Sequence, residues 1–414
     1  MCSLHFHWYS LTLCKSFASF AGAQTRFEIM KYKPVIGVIG GGQLGRMFIE
    51  EALRYNIECI IVDADKDCPA SVIAHDHIIG SIAEEGPLRR LGEVADVLTY
   101  EIEHIFIKPL FELEKAGKTL IPSPHILEIV QDKGLQKKFY LDNGIPTAPF
   151  QMVEGLQEWK TTIKTFGWKK FVAKLRKDGY DGKGVQIMDA NQVLKKNVIP
   201  FTAPAVLEAF VVCKKEVSII VARNKQGDIT CFPPVEMEFD PVANLVTLLV
   251  CPAKLNKKLL QKANEIAMKV VERMQGVGIF AIELFLDQSD QWFVNEMAPR
   301  PHNSGHHTIE ACYTSQYEQL LRILLGLPLG DTSVIKPAVM INLLGAPDFS
   351  GPYFLDGYDE ILKLPGVYVH LYGKKESKPM RKLGHITILG ETVKAARKKA
   401  KWVQSHCSIR KLQQ

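Results

Sequence analysis

The sequence predicts an α/β protein whose parallel sheet is covered by helices on both faces. Short apolar runs at 35–39 and 59–63 have the composition of buried strands, and a glycine-rich turn and a helical pattern lie between them. Further strand-like runs follow at 97–100 and 119–121. Parallel strands need helical crossovers, and apolar runs of this kind fit a sheet that is buried on both faces.

Composition narrows the class of protein. The chain has 414 residues, 47% hydrophobic and 23% charged, which is ordinary for a globular protein of two to four domains. No apolar run approaches the roughly 18–20 residues that cross a bilayer, so we expect no membrane span. Nine scattered cysteines without a Cys-x-x-Cys pair indicate reduced thiols and a cytoplasmic location.

The net charge of +6 is concentrated at the end of the chain. Residues 391–414 carry seven Lys or Arg and one Glu, which accounts for the whole excess. The remainder is balanced, so nucleic acid is not an expected partner. A basic, solvent-facing final helix is the simpler interpretation.

We divide the chain into four parts. Residues 1–29 have few charges, and no positive segment precedes their apolar stretch as it would in a signal peptide. We expect 1–29 to be an extension outside the fold. A first domain is predicted at 30–125, a central domain at 126–330 and a smaller β-containing domain at 331–414.

The first glycine-rich turn has the spacing of a dinucleotide-binding fingerprint. Gly40-x-Gly42-x-x-Gly45 follows the first strand, and Asp63 ends the second strand. Backbone amides and a helix N-terminus at such a turn favour an anion. The motif is stronger evidence for a bound phosphate group than for bound NAD. A tight turn that binds no ligand is the alternative.

A second glycine-rich segment, at 174–185, lies between two strand-like runs. It begins with Lys174 and places Gly179, Gly182 and Gly184 among charged residues. Glycines let backbone amides approach phosphate oxygens and lysines neutralise charge, so we expect a hairpin that folds over a triphosphate. No Gly-Lys-Ser/Thr closes the segment, which excludes a Walker A loop, and an exposed hairpin is the alternative.

Two apolar strand-like runs each carry a carboxylate. Glu283 lies in the first run, and Glu296 lies beside Asn295 in the second. Carboxylates among apolar residues are costly unless a cation or donor meets them. If the runs form a hairpin, the two carboxylates face each other and, with the Asn295 oxygen, suit Mg²⁺. A structural ion pair is the alternative.

The segment that follows, at 299–308, is dense in hydrogen-bond donors and is stiffened by two prolines. Its histidines (302, 306 and 307) leave zinc as an alternative. Recognition of an anion and a substrate next to the carboxylate pair is the better interpretation.

Together and in this order, these motifs resemble the ATP-grasp superfamily, and more closely its N5-carboxyaminoimidazole ribonucleotide synthase family. The resemblance covers residues 33–405, and its most discriminating segments are 100–104 and 300–306. It implies an ATP-grasp fold with an N-terminal Rossmann-like (pre-ATP-grasp) domain. A central ATP-grasp domain with a glycine-loop subdomain and a small C-terminal domain would follow.

The resemblance also implies roles for individual residues. ATP would be bound by Lys133, Lys174, Gly179, Tyr180, Asp181, Gly182, Lys183, Gly184, Val185, Glu208, Ala209, Phe210, Val211, Glu216, Asn295 and Glu296. Mg²⁺, or Mn²⁺ in its place, would be held by Glu283 and Glu296. The reacting carboxyl group would be held by Arg300, His302, Asn303 and Ser304. The acceptor would be bound by Gln43, Leu44, Glu101, Tyr180, Asp181, Lys374 and Arg381.

The implied reaction belongs to purine biosynthesis. ATP would activate bicarbonate as carboxyphosphate, and the amine of aminoimidazole ribonucleotide would take up the carboxyl group, without NAD or biotin. The resemblance also implies a homodimer. We expect a separate mutase to use the product, because the chain ends about 30 residues after His385. The alternatives are a formate-using glycinamide ribonucleotide transformylase, an NAD-dependent oxidoreductase and a non-catalytic regulator.

Overall fold

The computed structural model describes residues 33–177, 179, 184–239 and 246–412. The expected extension at 1–29 lies outside these residues, as do 178 and 180–183 of the second glycine-rich segment. Within the described ranges, no helix has both the length and the apolar character that crossing a bilayer requires.

The N-terminal part is a parallel sheet flanked by helices, as the sequence predicts. Its elements are β1 (Ile36–Ile39), α1 (Gln43–Arg54), β2 (Cys59–Asp63), β3 (Asp76–Ile79), α2 (Glu85–Val94), β4 (Val97–Tyr100), α3 (Lys108–Lys115), β5 (Thr119–Leu120) and α4 (Pro124–Gln131). The strand order is β3-β2-β1-β4-β5, with every pair parallel. Val38 packs with Phe48 of α1, whereas Ile39 packs with Leu91 of α2. Successive residues of β1 therefore face helices on opposite sides.

The next part is a small antiparallel sheet with three helices. Its elements are α5 (Lys133–Asp142), β6 (Phe150–Val153), α6 (Gly155–Phe166), β7 (Lys170–Leu175), β8 (Val185–Asp189), α7 (Ala190–Leu194) and β9 (Ala205–Ala209). The strand order is β6-β9-β7-β8, and the core includes Trp159 edge-on to Phe171. Lys174 pairs with Val185 between β7 and β8, which confirms the predicted hairpin.

A large sheet follows and carries most of the candidate site. Its first elements are β10 (Cys213–Arg223), β11 (Ile229–Cys231), β12 (Val235–Phe239), β13 (Val246–Cys251), α8 (Lys257–Met274), β14 (Gly278–Asp287), β15 (Trp292–Ala298), a 3₁₀ turn (Asn303–Gly305), α9 (Thr308–Ala311) and α10 (Gln316–Leu324). Val270 of α8 packs on one face against Ile282, and Leu321 of α10 packs on the other against Ala281. Strand β14, one of the two acidic strands, is therefore covered by a helix on each face of the sheet.

The C-terminal part completes the same sheet. It contains β16 (Ala338–Leu344), β17 (Tyr353–Asp356), α11 (Tyr358–Leu362), β18 (Val367–Leu371), β19 (Lys382–Leu389), α12 (Val393–His406) and β20 (Ser408–Lys411). The order in the large sheet is β15-β14-β10-β12-β13-β16-β19-β18, with β11 on β10 and with β17-β20 as a separate pair. Leu248 of β13 pairs with Ile341 of β16, so one sheet joins the central and last parts.

Candidate functional site

A cavity of about 580 Å³ opens where the three parts meet. Its lining comes from the first glycine-rich turn, the segment after β4, the start of α5, strands β14 and β15, and the segment after β15. The sequence-predicted residues that it brings together are Gln43, Leu44, Glu101, Lys133, Gly179, Glu283, Glu296, Arg300, His302 and Asn303.

The two predicted metal-binding carboxylates face each other in this cavity. Glu283 of β14 pairs directly with Glu296 of β15, which confirms the predicted hairpin. Burial, reinforced by the negative charges of Glu296 and Glu216, raises the pKa of Glu283 to about 8. The ammonium of Lys133 lies 2.9 Å from Glu296 Oε2 and lowers the pKa of Glu296 to about 2. Among the described residues, a lysine forms an ion pair with Glu296 and none does so with Glu283.

A third carboxylate belongs to the same face of the sheet. Glu216 lies two residues before Ser218 on β10, and Ser218 pairs with Glu283. Burial raises the pKa of Glu216 to about 7. The excess of negative charge along β10, β14 and β15 is what a divalent cation would neutralise, so Glu283 and Glu296 fit Mg²⁺ that also binds substrate phosphates.

A buried ion network lies beside the carboxylate pair. Glu208 of β9 forms ion pairs with two ammonium groups at 3.0 Å, those of Lys174 and Lys137. Lys174 also donates to Asn295 Oδ1 at 2.8 Å. Burial opposes ionisation of Glu208, but the two lysines hold its pKa below the ordinary value. The resemblance implied that Glu208 binds ATP, and in the structure its carboxylate lies against these lysines.

Lys137 belongs to the site, although no sequence motif named above includes it. Burial lowers the pKa of this lysine to about 8, and its ammonium also donates to Thr147 Oγ1 at 2.8 Å. A signal was present, because Lys137 lies four residues after Lys133 and residues at that spacing share one face of a helix. The same helix face therefore carries two of the site's cations.

The donor-rich segment after β15 is held from several directions. Arg300 Nε lies 2.8 Å from Glu103 Oε1. His302 Nδ1 contacts Ser304 Oγ at 2.9 Å, and Ser304 Oγ contacts Ser218 Oγ at 2.7 Å. His302 Nε2 is 3.8 Å from Glu283 Oε1, so the segment directly adjoins the carboxylate pair.

Asn303 makes a reciprocal amide pair with the C-terminal part. Its Nδ2 donates to Asn342 Oδ1 at 2.8 Å, and Asn342 Nδ2 donates to Asn303 Oδ1 at 3.0 Å. Asn342 Nδ2 also donates to the main-chain oxygen of Val246. Both side chains are buried, and this partner of Asn303 on β16 has no local signal in the sequence.

The first glycine-rich turn binds the chain's own carboxylates. The amides of Gly42 and Gly45 donate to Glu101 at 2.5 and 2.8 Å, and the Gly41 amide donates to Asp63 Oδ2 at 2.8 Å. The expectation that these amides bind phosphate is therefore corrected. Burial raises the pKa of Glu101, and the amide bonds oppose that rise. The carboxylate fills the position of an anion at the N-terminus of α1.

Other predicted residues lie away from the cavity lining or outside the described ranges. Lys374 Nζ donates to the main-chain oxygen of Lys382 at 2.9 Å, and Arg381 donates to that of Glu376. Lys382, rather than these two, lines the cavity. Ala209 is the last residue of β9. The ring of the next residue, Phe210, lies under the ammonium of Lys170, and Val211 follows. Gly184 immediately precedes Val185, the first residue of β8. Tyr180, Asp181, Gly182 and Lys183 lie outside the described residues.

Family models match all three parts of the chain. Residues 33–131 match the ribonucleotide synthetase preATP-grasp domain, 138–317 match the ATP-grasp domain, and 338–399 match the phosphoribosylaminoimidazole carboxylase C-terminal domain. These matches agree with the sequence-based expectation of the fold.

Individual relatives extend over nearly the whole chain. The N5-carboxyaminoimidazole ribonucleotide synthetase structure from Thermotoga maritima is 40% identical with a TM-score of 0.83, covering 91% of this chain and 99% of that one. The Aspergillus clavatus synthase, solved with ADP and 5-aminoimidazole ribonucleotide, is 31% identical with a TM-score of 0.81, covering 90% and 98%. The chloroplastic phosphoribosylaminoimidazole carboxylase of Vigna aconitifolia is 37% identical over 87% of this chain, which spans 65% of its length.

Proposed function

We propose that this chain, which belongs to the N5-carboxyaminoimidazole ribonucleotide synthase family of the ATP-grasp superfamily, is an ATP-dependent carbon–nitrogen ligase. It carboxylates 5-aminoimidazole ribonucleotide with bicarbonate in purine biosynthesis. The observation that carries the proposal is one cavity in which the Glu283–Glu296 pair adjoins Arg300, His302 and Asn303. That arrangement combines a phosphoryl-transfer site with a site for a small oxyanion.

The first step needs charge neutralisation and alignment rather than a covalent nucleophile. A bicarbonate oxygen forms a bond to the γ-phosphorus of ATP while the bond to ADP breaks, which gives carboxyphosphate. Lys133 and Lys174 supply positive charge at Glu296 and Asn295, where the phosphates would lie. Glu283 and Glu296 would hold Mg²⁺, which supplies further charge neutralisation when it is bound.

The second step needs a closed site for a reactive anion. Carboxyphosphate separates into carbon dioxide and phosphate, and the acceptor amine forms the new carbon–nitrogen bond. The released phosphate takes the proton that the amine loses. Arg300, His302, Asn303 and Ser304 stabilise the anion through fixed donors, which are effective because their partners already hold them in place.

The acceptor would lie at the end of the cavity formed by Gln43, Leu44 and Glu101. Glu101 shapes this end by binding the glycine turn. Lys374 and Arg381 would attract the ribose phosphate from beside Lys382. A homodimer, a separate mutase that uses the product and a cytoplasmic location complete the proposal.

The test is ADP release with Mg²⁺-ATP and bicarbonate, with and without aminoimidazole ribonucleotide. We expect the nucleotide to stimulate release strongly in the wild type and in Glu265→Gln, which removes an exposed charge from α8. Glu296→Gln should lose at least about 100-fold in kcat, because Mg²⁺ would then lose one of the two carboxylates that hold it against the phosphates. ADP release indifferent to the nucleotide would contradict the proposed acceptor, and no release at all would favour a non-catalytic regulator.

A further inference from the structure

His306 lines the cavity but belongs to none of the groups assigned above. Its side chain is 1% exposed. Its Nδ1 lies 2.8 Å from the hydroxyl oxygen of Tyr317, a residue of α10 that is fully buried. The ring also stacks on His385 of β19, with centroids 4.6 Å apart. The stacking therefore fixes the orientation of the imidazole plane, and the Tyr317 contact fixes the position of Nδ1.

The Tyr317 contact indicates which nitrogen carries the proton. Buried hydroxyls usually donate their hydrogen, and His306 Nδ1 is the ring nitrogen within hydrogen-bond distance of the Tyr317 hydroxyl. Burial and the nearby His302 and Lys382 hold the pKa of His306 well below its ordinary value, so the ring is neutral. A neutral imidazole that accepts at Nδ1 carries its hydrogen on Nε2.

We propose that His306 is a further substrate-binding residue, whose Nε2–H, fixed by Tyr317, donates to an anionic oxygen of the phosphate-bearing acceptor. The assignment rests on the proposed function. A phosphate oxygen is the acceptor that fits, because Lys382 lines the same cavity and acts electrostatically on His306. A neutral donor adds a directed hydrogen bond there without another positive charge.

The kinetic test compares three variants. His306→Gln keeps an N–H near the position of Nε2, His306→Leu removes it, and Tyr317→Phe removes only the hydroxyl that sets the tautomer. We expect His306→Leu to raise KM for aminoimidazole ribonucleotide about 10- to 100-fold, as for one lost hydrogen bond to a charged oxygen. His306→Gln should stay within about threefold of the wild type, and Tyr317→Phe should fall between them. KM for ATP and for bicarbonate should not change.

Equal KM values in the Gln and Leu variants, whether both normal or both raised, would overturn the proposal. Wild-type ADP release that the nucleotide does not stimulate would instead overturn the proposed function, and with it this ligand. The two failures are therefore distinguishable.

A second measurement reports the tautomer without any substrate. Nitrogen-15 NMR of histidine-labelled protein should show one ring with Nε2 protonated and Nδ1 bare, and Tyr317→Phe should shift that ring's signals. The comparison requires no His306 variant to fold. A protonated Nδ1 on the ring that responds to Tyr317→Phe would overturn the assignment.

Discussion

Arg300 depends on a carboxylate from a different part of the chain. Glu103 lies in the segment after β4, and its main-chain oxygen accepts from Gln131 Nε2 at 2.7 Å. Both charged side chains of the Arg300–Glu103 pair are largely shielded from water. Removing one partner of an ion pair in such a place is more costly than removing one on the surface, because a shielded charge is left unmatched.

Glu103→Gln should therefore impair catalysis more than folding. We expect kcat/KM for bicarbonate to fall about 10- to 100-fold, because Arg300 loses the group that orients it. KM for ATP should change by less than about threefold. The control is Glu93→Gln, which neutralises an exposed glutamate of α2. Equal kcat/KM values for the two variants would show that Glu103 does not position Arg300.

Elements with a strong local pattern could be predicted from the sequence. The bounds of β2, β4 and β14 follow from apolar runs. Counting back from the turn between β14 and β15 places Glu283 opposite Asn295, whereas a bulge between Glu283 and Leu284 shifts the register and brings Glu296 opposite Glu283. The pairing of β13 with β16 could not be predicted, since it joins residues about 90 positions apart without local trace. The partners of Arg300 and Asn303 were missed for the same reason. They depend on which distant elements meet at the cavity.

Strand β16 contributes to the candidate site through Asn342. Replacing this residue by leucine removes both bonds of the amide pair with Asn303 and the bond to Val246. We expect kcat to fall about 10-fold or more and the free energy of unfolding to fall by about 1–3 kcal/mol, because the buried Asn303 amide loses both of its bonds to Asn342. Activity assays and urea unfolding measure the two effects.

Thr387→Val is the matched control for Asn342→Leu. Thr387 lies on the neighbouring strand β19 and is fully buried, and its hydroxyl makes no hydrogen bond with any described residue. Its loss should therefore leave kcat within about twofold of the wild type. If Asn342→Leu were as active as Thr387→Val, the amide pair would not serve catalysis.

At the scale of the whole molecule, buried histidines tie stability to pH. Burial lowers the pKa of His307 to about 4 and holds the pKa values of His306 and His385 well below the ordinary range. Below about pH 6.5, the unfolded chain binds protons at these sites that the folded chain does not. The free energy of unfolding should therefore fall as pH drops from about 7 toward 4, by up to about 1.4 kcal/mol per pH unit for each histidine.

Comparison with His385→Phe isolates this effect. The raised pKa values of Glu216 and Glu283 act in the opposite direction between about pH 4.5 and 8, since those carboxyls bind protons more tightly in the folded chain. Both proteins share that contribution, so it cancels in the difference between their urea unfolding profiles. We expect the variant's slope below pH 6 to be shallower by about 1.4 kcal/mol per pH unit. Parallel profiles would contradict the prediction.

The nine-stranded sheet makes the central and C-terminal parts of the chain mechanically interdependent. Strand β13 lies inside the sheet only because β16 covers one of its edges. Without the C-terminal part, the backbone groups of Val246–Cys251 would form an open edge, and Leu248 and Val250 would lose the apolar side chains that cover them. An apolar open edge recruits other strands and leads to aggregation. The last strands therefore protect the chain from aggregation as well as supporting its cavity, and we expect a chain without them to be insoluble.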